Sequence, residues 1–410
     1  MKLKTHLYFF TAFISLISSA NNLSTEEQRL YTANKAIPEV VTAFDKLVED
    51  FRRDISRIKT KTQISYFIHI HANQLWQDAK RQARTTVDDR ALYWARLKLQ
   101  VILRQSEHFQ NMEPETQDEL IEQLNTISRG GYDLFFNKSK AQQRILITGF
   151  DPFNLDRNIY HSNPSGAIAL ALDGKTIEVD GISTDIEAII FPVRYQDFDQ
   201  GLVEKLLTEK LYNTVDAIVT VSQGGKPDFR PEQFAGLRRS TDLGADNQGV
   251  IKGHRSNPEI PLLNGRSLSS PEFLESSLPL DAILKESTCV SVKLNTIPIT
   301  VTIASGDQSG KVLTPKDYYS FKTLRELNAK LNLIAKKYDG LVVSSMGNGG
   351  GFLSNEISYR SLRLRDLYNP DLPIGHIHTP PQKTYDNNST PNIVKDFEKV
   401  LHALIKSIRQ

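Results

Sequence analysis

The sequence predicts an α/β fold, with an open and largely parallel twisted sheet flanked by helices and preceded by an all-α N-terminal domain. Residues 24–136 carry apolar side chains at helical spacing, and no glycine occurs before Gly130. From residue 144 onward, short apolar segments alternate with amphipathic ones, which is typical of parallel sheets with crossover helices. The net charge of +2 over 410 residues provides no strong field for nucleic acid or an anionic membrane.

The first twenty residues differ from the rest of the chain. Two lysines precede an apolar run from Leu7 to Ile17, and small residues follow at 18–20. This order is typical of an export signal, and the run is too short for a comfortable membrane span. We therefore expect residues 1–20 to be a signal peptide and the mature protein to be exported, either periplasmic or secreted, without a stable membrane span. A membrane-anchoring N-terminus is the alternative.

Two domains follow in this interpretation. Residues 21–136 form a helical N-terminal domain, and residues 144–410 form an α/β domain with insertions near 250–278 and 296–325. Cys289 is the only cysteine of the chain, so an internal disulfide and a cysteine-based metal site are both excluded. Because its neighbours alternate between apolar and polar residues, we expect Cys289 to be a buried, inert strand residue.

Strands and helices can be assigned along the α/β domain. The predicted strands are RILITGF, DIEAIIFPV, DAIVTVSQGG, VSVKLNTIPITVTIA and GLVVSSMGNGGG, and the predicted helices are SNPSGAIALAL, FDQGLVEKLLTEK, TLRELNAKLNLIAKKYDG and NIVKDFEKVLHALIKSIRQ. Three of these strands end in unusual loops, TGFDPF, SQGGKPDF and SMGNGGGF. Since sites in such sheets collect at the carboxyl ends of the strands, we expect these three loops to converge.

Three residues near strand ends could carry chemistry. Ser354 follows the glycine run of GGGFLSNEISYRSL, His378 lies in IGHIHTPP, and Glu232 lies in DFRPEQFAG, where Pro231 suggests the start of a helix. These residue types could form a nucleophile, a base and an orienting carboxylate. The G-x-S-x-G elbow is absent, and no GK[ST] follows the glycines to complete a phosphate loop. Ser354 could also simply cap the helix that it precedes.

Five short segments, in order, resemble the pyroglutamyl peptidase I family (pyrrolidone-carboxylate peptidases). They are TGFDPFN through NPS, SQGGKPDFRPEQFA, DNQG, GGGFLSNEISYRSL and GHIHTP, within roughly residues 144–384. The resemblance implies that Ser354 stands at the nucleophile position, that Glu232 orients the histidine and that His378 is the general base. It also implies a pyroglutamate pocket lined by Phe150, Phe153, Gln223 and Leu353. A flat lactam ring suits aromatic faces and a few fixed amide partners.

The departures from the family pattern bear on the mechanism. Ser354 stands where the family has a cysteine, and Glu356 replaces a histidine. The arginine that the family carries before its Asp-Asn-x-Gly loop is missing at 242–243, and Arg238 and Arg239 are off register. A serine must lose its proton during attack, whereas a cysteine can rest as a thiolate. One missing oxyanion donor lowers the rate by about 10²–10³-fold.

Three functions therefore stay open. The first is a hydrolase that removes N-terminal pyroglutamate, or a similar cap, from peptides through a Ser354–His378–Glu232 triad. The second is a pseudoenzyme that binds pyroglutamyl peptides without cleaving them. The third is an interaction protein that acts through its helical domain. We expect no metal, no cofactor and no nucleic acid partner. Homo-oligomerisation is implied by the resemblance alone, and the insertions could block the surface involved.

Overall fold

A computed structural model describes residues 23–132, 134, 136, 140–241, 244–269, 271–295, 298–314 and 321–408. The expected signal peptide at 1–20 lies outside the described residues, and so do Asp242 and Leu243. Across the described ranges, none of the helices combines the length and the apolar character that a membrane crossing requires.

Eight helices precede the sheet in the described part of the chain. They are α1 (Thr25–Gln28), α2 (Leu30–Ala36), α3 (Pro38–Val41), α4 (Asp45–Ile55), α5 (Lys61–Ala83), α6 (Arg90–Gln105), α7 (Glu107–Gln110) and α8 (Pro114–Ile127). A capping box starts α5, because the Thr60 side chain accepts from Gln63 N while the Gln63 side chain accepts from Thr60 N. Helix α6 is buried along nearly its whole length, so it is the central helix of this region.

The main sheet has six strands in the order β2–β3–β1–β4–β13–β5. These strands are β1 (Gln143–Phe150), β2 (Lys175–Val179), β3 (Ile182–Phe191), β4 (Ala217–Gln223), β5 (Arg230–Pro231) and β13 (Ile374–Thr379). The four central strands run parallel, and β2 and β5 add antiparallel edges. The predicted fold class, a largely parallel sheet flanked by helices after a helical N-terminal region, is confirmed.

The remaining elements flank the main sheet or fold into small sheets beside it. The helices are α9 (Pro164–Leu172), α10 (Tyr195–Asp199), α11 (Leu202–Leu206), α12 (Glu209–Tyr212), α13 (Leu280–Glu286), α14 (Leu324–Tyr338), α15 (Leu353–Tyr368) and α16 (Ser389–Ser407). The strands are β6 (Phe234–Gly236), β7 (Leu262–Leu263), β8 (Arg266–Ser267), β9 (Phe273–Glu275), β10 (Thr300–Ile303), β11 (Val312–Leu313) and β12 (Val342–Met346).

The two faces of the main sheet carry different cores. Because side chains alternate along a strand, Ile147 and Leu146 belong to opposite faces. Ile147 shares one apolar cluster with Leu170 of α9 and with Trp76 of α5. Leu146 belongs to a second cluster, which contains Ile357 of α15. The N-terminal helices therefore share one apolar cluster with one face of the main sheet.

Several element predictions need correction. Pro231 does not start a helix, because Arg230–Pro231 pairs with β13 and Phe234–Gly236 pairs with β9 from the first insertion. Strand β12, which leads to the glycine run, pairs antiparallel with β10 in a separate three-stranded sheet instead of joining the main sheet. The long helix expected around FDQGLVEKLLTEK is broken into α10, α11 and α12, since Gly201 adopts a left-handed φ of 77° between the first two.

The environment of Cys289 was also predicted incorrectly. This residue is exposed and lies in a turn just after α13. The chain leaves the helix at Glu286 and turns back through the Val290 N to Ser287 O contact of 3.5 Å. The alternating pattern around Cys289 therefore belongs to a surface turn and not to a buried strand.

Candidate active site

Two neighbouring parallel strands bring the polar residues of the site together. In the register of β13 and β4, His378 lies beside Ser222 and His376 lies beside Thr220. Strand β13 was absent from the sequence interpretation, because six residues that include a glycine and two histidines give a weak strand signal. Its carboxyl end nevertheless places His378 at the edge of the sheet where sites are expected.

Glu232 and His378 form a buried carboxylate–imidazole pair. Glu232 Oε1 lies 3.2 Å from His378 Nδ1, and Glu232 is only 2% exposed. The position of Glu232 is fixed by its own backbone N–H, which donates to His376 O at 2.9 Å. Asn295, from the second half of the chain, donates through Nδ2 to Asn348 O at 2.9 Å and lies 3.5 Å from Glu232 Oε1. The structure thus brings together two of the three residues of the expected triad.

Burial sets the protonation of this pair. It raises the pKa of Glu232 well above its usual range, and the hydrogen bond from Asn295 opposes that rise. It lowers the pKa of His378 to about 4. The imidazole is therefore neutral at physiological pH, which is the form that can accept a proton.

One pocket gathers the residues that the sequence grouped as substrate-binding. Its volume is about 80 Å³, and its lining consists of Phe150, Phe153, Asn163, Val193, Ser222, Gln223, Phe352, Leu353 and Ser354. The carboxyl ends of β1 and β4 thus meet the start of α15, as the convergence of strand ends predicts. His378 and Glu232 are not part of this described lining.

Ser354 does not act as the helix cap. Helix α15 starts at Leu353 with Phe352 at the N-cap position, so Ser354 is the second helical residue. Its hydroxyl donates to Gly349 O at 3.1 Å, and among the described residues it makes no hydrogen bond with His378. The first N–H groups of a helix have no intrahelical acceptor, so the start of α15 offers backbone donors next to this hydroxyl.

Gly349 connects the pocket to the buried pair. Its carbonyl oxygen accepts from Ser354, and a Cβ at this position would lie 2.7 Å from Glu232 Oε2. Only a glycine lets the backbone approach the carboxyl group this closely. Gly349 therefore contacts the Ser354 hydroxyl through its carbonyl oxygen and lies close to the Glu232 carboxyl group.

The arginines near the site are used in ion pairs. Arg239 Nε lies 2.6 Å from Glu356 Oε2, and Arg360 Nε lies 2.8 Å from Glu356 Oε1. Arg239 also contacts Asp199 at 2.8 Å. Arg238 pairs with Glu272 at 3.0 Å. Glu356 is thus the centre of a buried charge network that occupies Arg239 and Arg360.

A second histidine lies directly behind His378. Among the described residues, Glu232, His376 and His378 each place a potential metal-ligand atom within 4.8 Å of the others. Both ring nitrogens of His376 already have hydroxyl partners, Thr220 at 2.8 Å and Ser222 at 2.7 Å, so His376 is held in a hydrogen-bond chain. The sequence interpretation named neither His376 nor Ser222. The His-x-His spacing in an alternating strand was the signal that could have identified His376.

The N-terminal helices hold the pocket loop in place. Asp151, next to Phe150, is 2% exposed and contacts Arg96 of α6 at 2.6 Å and Arg129 at 2.8 Å. Asn247, of the DNQG segment, donates to Pro152 O at 2.9 Å. The sequence did not predict these contacts, since they join positions far apart in the chain.

The fold and the site define an α/β protein with a serine-lined pocket beside a buried carboxylate–imidazole pair. The family "PA0049, C-terminal domain" matches residues 144–267 and 266–383, which is more than half of the chain, and the family "PA0049 N-terminal domain" matches residues 11–125. The chain belongs to the PA0049 family.

Similar proteins of known sequence or structure were also found. The "Uncharacterized protein PA0049" of Pseudomonas aeruginosa is 29% identical over 360 residues, which cover 73% of this chain and 64% of that protein. Pyrrolidone carboxyl peptidase of Pyrococcus furiosus is 17% identical with a TM-score of 0.41, covering 65% of this chain and 99% of that one. Pyroglutamyl peptidase I of Bacillus amyloliquefaciens has the same identity and TM-score, with coverages of 65% and 98%. Similarities this distant carry no argument about activity.

Proposed function

We propose that the protein is a hydrolase that removes N-terminal pyroglutamate, or a similar acyl cap, from peptides. The observation that carries this proposal is the single pocket in which Phe150, Phe153, Gln223 and Ser354 meet. A water molecule needs roughly 10–15 Å³ of cavity volume on this measure. The pocket volume of about 80 Å³ therefore suits a small ring and not a large ligand. Aromatic walls with the amide side chains of Asn163 and Gln223 match a flat lactam.

The proposed mechanism uses the serine and the buried pair in sequence. On substrate binding, the Ser354 hydroxyl turns from Gly349 O toward Nε2 of His378. Its oxygen attacks the pyroglutamyl carbonyl while its proton passes to Nε2, and Glu232 holds the imidazole through Nδ1. The backbone N–H groups at the start of α15 stabilise the oxyanion. The proton then moves to the leaving amine, and water hydrolyses the acyl-serine by the same route.

A fluorogenic pyroglutamyl amide tests this function with matched variants. We expect the unchanged protein to release the fluorophore and Ser354→Ala to lose this activity. Ser358→Ala, one turn further along the same helix, should keep it. Turnover by the unchanged protein that equals turnover by Ser354→Ala would contradict the proposal.

A second candidate function is a binding protein for pyroglutamyl peptides that does not cleave them. Two observations favour it. Among the described residues, the Ser354 hydroxyl is hydrogen-bonded to Gly349 O and not to His378. Arg238 and Arg239 are also used in ion pairs. Tight binding of a pyroglutamyl peptide without turnover, unchanged by Ser354→Ala, would establish this alternative.

Two adjacent glycines provide a test of the position of His378. A Cβ at Gly224 would lie 2.8 Å from His378 Cβ and 2.9 Å from Thr379 O, whereas a Cβ at Gly225 would meet nothing within 4 Å. We expect Gly224→Ala to displace His378 and to lower kcat/KM by about 100-fold, because misplacement by about 1 Å has effects of that order. Gly225→Ala should leave kcat/KM unchanged. Equal activity of the two variants would show that the position of His378 does not matter for turnover.

A further inference from the structure

The floor of the pocket contains a chain of hydrogen bonds that the proposed mechanism does not use. Thr220 Oγ1 lies 3.2 Å from Gly375 O and 2.8 Å from His376 Nδ1. His376 Nε2 lies 2.7 Å from Ser222 Oγ. Thr220 and His376 are fully buried, and Ser222 is 5% exposed. Ser222 lines the pocket, so this chain of hydrogen bonds ends at the pocket.

Only one direction of donation makes all three contacts favourable. A carbonyl oxygen can only accept, so Thr220 donates its proton to Gly375 O. The Thr220 oxygen then accepts from Nδ1–H of His376. A neutral imidazole with its proton on Nδ1 accepts at Nε2, and burial lowers the pKa of His376 well below its usual value, which keeps the ring neutral. Ser222 must therefore donate to His376, and its lone pairs are left for the pocket.

The same reasoning fixes the neighbouring amide. His161 Nδ1 lies 2.5 Å from Phe153 O, so it is the donor, and His161 Nε2 accepts from Gln223 Nε2 at 3.3 Å. Gln223 Oε1 accepts from Gln382 N at 3.0 Å. These two contacts fix the orientation of the amide and leave one N–H of Nε2 for the pocket. Gln223 offers the pocket a donor, whereas Ser222 offers it an acceptor.

We propose that Ser222 and Gln223 together recognise the N–H and C=O edge of a five-membered lactam. A cis amide in a ring presents one donor and one acceptor side by side, which is the complement of the Ser222 oxygen and the Gln223 N–H. His376 and Thr220 are positioning residues. They make the Ser222 hydroxyl donate to His376, so that its oxygen can accept from a ligand. This inference rests on the proposed function and deepens it, since it selects rings with a free N–H over lactones and N-methylated lactams.

Ring analogues test the inference without any need for turnover. The probes are pyroglutamamide and its lactone counterpart, in which oxygen replaces the ring N–H, titrated calorimetrically into the full chain carrying Ser354→Ala. A buried acceptor left without a donor weakens binding, so we expect the lactam to bind about 10–100-fold more tightly than the lactone. N-methylated pyroglutamamide should bind as weakly as the lactone.

Two further variants separate the direction of the Ser222 hydrogen bond from a loss of packing as the cause of a change in affinity. Ser222→Ala should bring the lactam-to-lactone ratio close to one through loss of lactam affinity. In His376→Phe, the Ser222 hydroxyl loses its acceptor and can donate to a ligand, so the affinity for the lactone should rise. A purely structural role of His376 would weaken both rings alike. Ser358→Ala is the control and should change neither affinity.

The outcomes distinguish this inference from the function on which it rests. Equal affinities for lactam and lactone, or a ratio that Ser222→Ala leaves unchanged, overturn the inference while the pyroglutamyl hydrolase proposal stands. If the protein binds none of the three rings, both the inference and the proposed substrate class are overturned. If His376→Phe fails to fold, as circular dichroism would show, the Ser222→Ala ratio alone decides.

Discussion

Glu232→Gln is expected to abolish turnover of pyroglutamyl amides and, at the same time, to raise the thermal stability of the protein at pH 8. Glutamine keeps the shape of the side chain but cannot hold the His378 imidazole in the tautomer that a base requires. Loss of an orienting carboxylate in a serine–histidine–carboxylate site lowers kcat by about 10⁴-fold. We expect a loss of that order for kcat on a fluorogenic pyroglutamyl amide.

The gain in stability follows from the direction of the pKa shift. Burial raises the pKa of Glu232 above the value of an unfolded chain, so the protonated carboxyl stabilises the fold at low pH. That contribution is lost as the pH rises through the folded-state pKa. Glutamine does not titrate, so the variant should melt at a higher temperature than the unchanged protein at pH 8 but not at pH 4.

Melting curves at the two pH values check this expectation. Glu122→Gln is a suitable control, because Glu122 pairs with Lys205 on the surface with about half of its side chain exposed. The control should change neither melting temperature nor turnover. A lower melting temperature for Glu232→Gln at pH 8 would show that Glu232 stabilises the fold and is not held there for chemistry.

The pH dependence of turnover should report the same pair. The proposed mechanism needs Glu232 ionised and His378 neutral. Because burial lowers the pKa of His378 to about 4 and raises the pKa of Glu232, Glu232 sets the acid limb. We therefore expect kcat/KM to fall with decreasing pH, with an apparent pKa above the usual range of a glutamate. This apparent pKa belongs to the coupled pair and not to Glu232 alone.

Asp151→Asn should have the largest effect on stability. The carboxylate lies between Arg96 and Arg129 at 2.6 and 2.8 Å, and all three side chains are buried. Both arginines lower the pKa of Asp151, which keeps it ionised although burial opposes this. Removing one partner of a buried ion pair leaves an uncompensated charge and lowers the free energy of unfolding by about 3–5 kcal/mol.

Chemical denaturation measures this loss, with Glu122→Gln again as the control. The exposed Lys205–Glu122 pair should contribute less than about 1 kcal/mol. We also expect Asp151→Asn to weaken binding of pyroglutamamide, because Asp151 directly follows Phe150 and anchors the start of the loop that carries Phe153. A loss below about 1 kcal/mol for Asp151→Asn would contradict the view that the N-terminal helices stabilise the pocket loop.

Much of the fold follows from local sequence. Strands β1, β3 and β4 are apolar runs bounded by turns, and β1 and β4 end in Phe150 and Gln223 at the carboxyl edge of the sheet, where a pocket is expected. Their roles in binding remain predictions. The short strand β13 was missed because its pattern is weak, although it holds both histidines.

The other misses depend on partners distant in sequence. Pro231 suggested a helix, but pairing with β13 makes it part of a strand. Arg96 and Asp151 are separated by 55 positions, and nothing local marks either as half of a buried ion pair. Ser222 looks like an ordinary strand residue until His376 is placed beside it. Whether Ser222 donates or accepts a hydrogen bond at the pocket is thus decided only when strands β4 and β13 lie side by side.

Identification of the residue that becomes acylated tests the central proposal most directly. The protein would be mixed with an activated pyroglutamyl ester, quenched in acid and digested for mass spectrometry, in parallel with Ser354→Ala. We predict one pyroglutamyl group on the peptide that contains Ser354, and none on the alanine variant. Turnover accompanied by a label on Ser222 or elsewhere, or by a label that Ser354→Ala leaves unchanged, would contradict the assignment of Ser354 as the nucleophile.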